Sequence, residues 1–276
     1  MKSNIQTSLF SLLLVLGSML TACQVIPQGE QILESFTPAD TSQIKRTSLL
    51  IEYSGWRCMN CPNAATVAHD LQEQYGEELV VVVMHPASNP NTRYGNNQSV
   101  NYTCPEADSV YIRMGGTNAT PFPTGNINFL QQDNSFFCGS DTWATLLSRY
   151  YGSSPIIMKQ TLARENNTVD IEIYLCNMAS KPLNTTLQIW LTEDGIVGKQ
   201  IMPDGKTNNE YTHNHLLRAS VLPSVWGESY QLPSIVPQTL HFSYTLPEKV
   251  VTENCHIVSI LSTNGIVIQA TETKIQ

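Results

Sequence analysis

Apolar and polar positions follow two rhythms along this chain, and the rhythm changes near residue 152. The first part opens with an apolar run, Leu49-Leu50-Ile51-Glu52-Tyr53. Ala64, Val67, Ala68, Leu71 and Tyr75 then recur at spacings of three and four, and Leu79–Met84 is continuously apolar. These patterns predict a strand, an amphipathic helix stopped by Gly76, and a strand covered on both faces. Two strands joined through a helix predict a right-handed parallel βαβ unit. Residues 85–120 carry Asn, Ser, Pro and Gly and read as an insertion, with a long loop over 89–101 and a short helix over 106–114. Asn126–Leu130 reads as a strand. Asp141 reads as the N-cap of a helix over 142–151, with Trp143, Leu146, Leu147 and Tyr150 inward.

After Gly152-Ser153-Ser154-Pro155 the period becomes two. Val169, Ile171, Ile173 and Leu175 alternate with polar neighbours, as do Leu187, Ile189 and Leu191, and Leu240, Phe242, Tyr244 and Leu246. Ile257–Leu261 and Ile266–Ala270 flank Thr263-Asn264-Gly265, a hairpin signal, and Asp194-Gly195 and Asp204-Gly205 mark further turns. Seven or eight short strands in about 120 residues predict an antiparallel β-sandwich of immunoglobulin-like size. The expected division is therefore an α/β domain over 46–152 followed by an all-β sandwich domain over 153–276.

The N-terminus adds a targeting segment. Lys2 precedes an apolar stretch, Leu9–Leu20, which ends in Leu20-Thr21-Ala22-Cys23. That arrangement resembles a bacterial lipoprotein signal, with residues 1–22 removed and Cys23 lipidated as the first mature residue. Gln24 rather than Asp follows the cysteine, which favours the outer membrane and leaves the membrane face open. Residues 23–45 read as a tether. The net charge is −8, only 14% of residues are charged, and no Lys/Arg cluster occurs, which argues against a nucleic-acid partner. No internal apolar run reaches membrane-spanning length.

Export changes the cysteine reading. Of seven cysteines, Cys23 is assigned to lipid, which leaves six for an oxidising compartment. Cys58 and Cys61 form a Cys-x-x-Cys motif between the first strand and its helix. Two intervening residues at a helix start let the sulfurs meet, and the helix N-terminus stabilises a thiolate. In that setting the motif reads as a thioredoxin-like redox site, with Cys58 as the exposed attacking sulfur and Cys61 as the buried resolving one. Arg57 adds positive potential, and Pro62 is tolerated in the first turn. The other four cysteines allow three pairings. Keeping each pair within one expected domain favours Cys104–Cys138 and Cys176–Cys255, with the mixed pairings left open. A zinc site lacks a second ligand pair, so no metal or other cofactor is expected.

Two further positions resemble thioredoxins. Glu52 lies six residues before Cys58, where those proteins hold a buried acid that helps move the proton of the resolving thiol. Phe122-Pro123-Thr124 resembles the triplet whose cis-proline faces the dithiol. The departures are equally plain: the stretch reads Trp56-Arg57-Cys58-Met59-Asn60-Cys61-Pro62, with the tryptophan displaced by one residue.

The whole layout resembles the outer membrane protein 28 family of lipoproteins. The matching residues are Glu52, Gly55, Cys58-Met59-Asn60-Cys61-Pro62-Asn63-Ala64, the Leu71–Gly76 helix end, His85, Pro123-Thr124-Gly125-Asn126-Ile127-Asn128, and Tyr211-Thr212-His213-Asn214-His215-Leu216-Leu217-Arg218. The resemblance implies an outer-membrane lipoprotein with a thioredoxin-like domain and a β-rich C-terminal domain, and it implies no catalytic activity. On one strand, His213 and His215 would face the same side, as metal ligands can, with His241 and His256 as further candidates. The simpler reading makes His213, His215 and Arg218 structural. Neither a nucleophile elbow nor a phosphate-cradling glycine loop occurs. Two functions stay open: an anchored binding or structural protein with a fastening disulfide, whose partner is a protein or a glycan, and an envelope thiol–disulfide oxidoreductase using Cys58 and Cys61. A glycan or peptide site would need exposed aromatics, which Trp190 and Trp226 could supply, but core packing is the simpler role for both.

Overall fold

The computed structural model describes residues 44–94 and 100–276. The expected signal, Cys23 and nearly all of the tether lie outside the described residues. The first elements are β1 (Ser48–Tyr53), α1 (Cys61–Tyr75), β2 (Leu79–Met84), α2 (Pro105–Arg113), β3 (Thr124–Ile127) and α3 (Ser140–Tyr150). β2 runs parallel to β1, with Leu49 opposite Val80, and β3 runs antiparallel on the other side of β1, with Leu50 opposite Ile127. Gly76 (φ 56°) ends α1 as expected, because a left-handed turn there suits glycine. α3 begins at Ser140, so Asp141 sits inside its first turn and Gly139 takes the cap position. β3 is shorter than expected because Asn128 (φ 53°) and Phe129 (φ 57°) turn the chain out of the sheet.

The later elements are β4 (Ile156–Glu165), β5 (Thr168–Asn177), β6 (Leu183–Glu193), β7 (Ile196–Ile201), β8 (Thr207–His213), β9 (Leu216–Ser220), β10 (Glu228–Leu232), β11 (Gln238–Thr245), β12 (Cys255–Thr263) and β13 (Ile266–Lys274). The predicted hairpin turn is present, with Asn264 and Gly265 both at positive φ. Among the described residues the strands form three sheets: an eight-stranded one in the order β13-β12-β6-β9-β2-β1-β3 with β10 beside β6, a three-stranded one, β11-β5-β4, and a two-stranded hairpin, β7-β8. The large sheet crosses residue 152, where the period of the sequence changes. Its halves meet through β9, which bridges β2 at Val83–Leu216. The sheet also curls, since Val267 N–H donates to Asn128 O just beyond β3 at 3.0 Å.

Three apolar clusters follow from strand alternation. Leu49, Ile51 and Tyr53 of β1 face α2, together with Val80, Val82, Trp190 and Val258. Leu50 and Val81 face the opposite way, against Ala64, Ala68 and Leu71 of α1 and Trp143 of α3. The third cluster fills the space between β4-β5 and β6-β12-β13, with Ile171, Ile173, Ile189 and Ile257. Each fully buried Leu, Ile or Val contributes about 1.5–3 kcal/mol. Trp190 is fully buried in the cluster that faces α2, and Trp226 is half-buried, with the Arg113 guanidinium 4.2 Å from its ring centre.

The expected pairs Cys104–Cys138 and Cys176–Cys255 are not formed, and all four cysteines are free thiols. Alternation gives the reason. Cys104 packs in the cluster under α2, whereas Cys138 packs against the cluster on the other face of the same sheet. Cys255 lies in the third cluster with Leu175 of β5, while Cys176, the next residue along β5, points away and contacts Met178 Sδ. Spacing along the chain places cysteines in one half but does not fix the face on which each points.

Candidate functional site

β1 delivers the chain to Ser54-Gly55-Trp56-Arg57, and α1 starts at Cys61. Cys58 and Cys61 are joined as a disulfide with a Cα–Cα distance of 5.4 Å. The turn is braced from below by residues 89–92, where Arg57 N–H donates to Asn91 O at 3.0 Å and Asn91 N–H donates to Asn89 Oδ1. Gly55 is needed here because a Cβ would lie 2.5 Å from Asn91 O. A backbone oxygen cannot step aside cheaply, so Gly55→Ala should cost about 1–3 kcal/mol. Thermal denaturation checks this, and an unchanged midpoint would remove the claim.

The motif predicts an exposed Cys58. Both sulfur-bearing residues are buried instead, Cys58 at 5% and Cys61 at 2% exposure. The cover comes from the β7-β8 hairpin. Gln200 Nε2 donates to Cys58 O at 2.9 Å and reaches Gly55 O at 3.4 Å, and Ile201 N–H donates to Trp56 O at 2.8 Å. Arg57 stacks over Trp56 instead of over the sulfurs, 4.8 Å from the ring centre.

Between the hairpin and α1 lies a cavity of about 110 Å³, lined among others by Glu52, Cys61, His85, Gln200, Tyr211 and His213. Glu52 shares the face of Leu50, two residues earlier on β1, so it points to the α1 side of the sheet. It is fully buried, and neither of its oxygens has a hydrogen-bond partner of normal geometry. Burial pushes its carboxyl up to about 8, with nearby Ser54 pulling weakly the other way. At neutral pH this side chain keeps its proton. Burial also holds His85 well below its ordinary value, helped by His213 and Arg218, and lowers His213 to about 4. The two rings lie edge to face with centres 5.7 Å apart, and Tyr102 stacks 4.4 Å from His213. The Phe122–Pro123 bond is cis, and Thr124 pairs with Tyr53, so Pro123 lies at the sheet end from which the Cys58 turn leaves.

The expectation that His213 and His215 share one side of a strand fails. β8 ends at His213, and His215 adopts φ 57°, which breaks the alternation. His213 lies under the hairpin, and its Nε2 is 3.2 Å from Lys199 O. His215 sits at the hairpin base, its backbone N–H donating to Asp194 Oδ1 at 2.6 Å. Arg218 pairs with the buried Glu193 at 3.1 Å. His256 faces the other Asp194 oxygen at 3.8 Å, and His241 is on the surface beside Glu172. Among the described residues no group of three or more His, Cys, Asp or Glu is placed to hold a metal ion. Nothing in the sequence marks Gln200, and Tyr211 stands out only as part of the family resemblance. The Asp204-Gly205 turn was the available signal for their hairpin, but nothing local shows what the hairpin covers.

A known protein shares this architecture. The solved structure of HBP35 of Porphyromonas gingivalis superposes with a TM-score of 0.63 at 15% identity, covering 85% of this chain and 76% of that one, a likeness of fold. A domain of the outer membrane lipoprotein Omp28 of Porphyromonas gingivalis matches with a TM-score of 0.32 at 18% identity, over 45% of this chain and 89% of that domain. No curated protein matches the chain in sequence. Among the described residues no helix is long and apolar enough to cross a membrane. The family model "Outer membrane protein Omp28" matches residues 116–276. The chain belongs to the outer membrane protein Omp28 family, and its place is the outer membrane.

Proposed function

We propose that this chain is a lipid-anchored envelope protein with a binding or structural role, and that its Cys58–Cys61 disulfide is a fastener. The anchor is lipidated Cys23, followed by the tether over 23–45. The folded part combines a thioredoxin-like half over 46–152 with an immunoglobulin-like β-sandwich half over 153–276, joined through the shared sheet. The partner is a protein or a glycan. The observation that carries this reading is the burial of both cysteines beneath Gln200, since a sulfur that trades disulfides with proteins must be reachable. The test is insulin reduction by the wild-type chain, together with trapping of mixed disulfides by Cys61→Ser in cells. No turnover above the reductant alone and no covalent partner are expected. A captured partner on Cys58 would overturn the reading.

Glu52 favours the alternative, an envelope thiol–disulfide oxidoreductase. A buried carboxyl that keeps its proton at neutral pH and lines the same cavity as Cys61 is suited to exchanging a proton with that sulfur. In that reading Cys58 is the attacked sulfur, Cys61 the leaving one, and Pro123 flanks the pair.

A further inference from the structure

The hairpin over the disulfide is built differently from the rest of the chain. Among the described residues β7 and β8 ladder only with each other, whereas β6 and β9 on either side of them are locked into the large sheet, with Glu193 opposite Leu216. The two connections lie side by side. His215 N–H donates to Asp194 Oδ1 at 2.6 Å, and Gly195 N–H donates to Asn214 Oδ1 at 2.9 Å. Gly195 (φ 69°) and His215 (φ 57°) both take left-handed turns there. Beyond this base the arm buries little of itself, although His213 packs against the rings of His85 and Tyr102. Gln200 and His213 are its buried residues, and the outer strand over 207–210 is exposed. Gln200, Ile201 and Tyr102, whose hydroxyl reaches Lys199 O at 3.5 Å, tie it down. Segments with little buried apolar area open at a small fraction of the global unfolding cost.

We propose that the β7-β8 hairpin is a lid on the Cys58–Cys61 disulfide, hinged at 194–195 and 214–215, whose opening admits a dithiol reductant. With the lid open, one thiolate of the reductant attacks Cys58 Sγ. The S–S bond breaks, Cys61 leaves as a thiolate and takes up a proton. The second thiol of the reductant then displaces Cys58 as a thiol and leaves as the oxidised, cyclic disulfide. Two electrons and two protons pass to the pair. This goes beyond the function proposed above, because the lid controls access to the sulfurs whether or not a protein partner uses them.

The experiment follows reduction of the disulfide in the full chain by dithiothreitol, with quenching by alkylation and mass measurement of the 58–61 peptide. A lid predicts a rate that rises with reductant and then levels off at the opening rate. Gln200→Ala should raise the rate at low reductant about tenfold, the worth of one or two hydrogen bonds. In the wild-type chain the Ile201 amide, which bonds across to Trp56, should exchange its hydrogen much faster than the Leu50 amide of β1. This measurement stands even if the variant folds poorly. A rate linear in reductant and unchanged by Gln200→Ala would mean that the sulfurs are open without a lid. Reduction no faster than Leu50 exchange would mean that only global unfolding exposes them. Either result overturns the proposal.

Discussion

Glu52→Gln will stabilise the protein at alkaline pH by on the order of 3–5 kcal/mol and leave it nearly unchanged at acid pH. The effect follows from where the proton sits. In the unfolded chain this carboxyl ionises near 4.5, and in the folded chain burial raises it to about 8. Between those values the unfolded state has lost the proton and the folded state still holds it. The unfolded state binds fewer protons, so stability falls as pH rises through this window, and the loss is complete above the folded value. Glutamine has nearly the same shape and never ionises, so its curve lacks this loss. His85 and His213 work in the opposite direction. Burial lowers both, so they stay neutral in the fold while the unfolded chain protonates below about 6.5, and stability drops as pH falls. Glu272, raised by burial to about 7, adds a loss of the same sign as that of Glu52. These groups are present in both proteins, so the difference between the two urea-denaturation curves, taken from about pH 4 to 9, isolates Glu52. Parallel curves would show that Glu52 is ionised or solvated in the folded state.

Glu52 also shows what the sequence makes legible. Its distance from Cys58 and its place in an apolar strand mark it before any coordinates. The strands and helix around the cysteines are equally legible, because each is a local pattern: apolar runs in β1 and β2, three-and-four spacing in α1, and glycine at the end of α1. The cover over the cysteines is not legible. The β7-β8 hairpin shows no clean alternation because it buries almost no face, and Gln200 reaches Cys58 across 142 residues of chain. A buried glutamine looks like a surface glutamine until its partners are known. The four free cysteines teach the same lesson. Membership of one half of the chain could be read, but the side of the sheet depends on register and curl. His215 is a third case, since its positive φ breaks the alternation that would have set it beside His213 on one face of a strand, although both still line the same cavity.

Arg218→Met will cost about 3–5 kcal/mol, because it leaves a buried carboxylate without its counter-charge. Arg218 Nε lies 3.1 Å from Glu193 Oε2, with both side chains largely removed from water. Glu193 Oε1 accepts from Val251 N–H at 2.7 Å, and Arg218 Nη1 donates to Asn101 O at 3.1 Å, so the pair ties four segments together. The cost reflects the orphaned charge more than the bond itself. The double variant Glu193→Gln, Arg218→Met should therefore recover a large part of the loss, as replacing both partners of a buried pair is often close to neutral. Urea denaturation of the two single variants and the double variant gives the coupling energy. A double variant as unstable as the sum of the singles would show that the two side chains act independently. Position adds a second consequence. Glu193 immediately precedes Asp194, and Arg218 lies in β9 just beyond His215, so the ion pair clamps the two strands from which the hairpin springs. Loss of the clamp loosens the hinge base, and Arg218→Met should speed reduction of the disulfide at low reductant more than its effect on global stability alone accounts for.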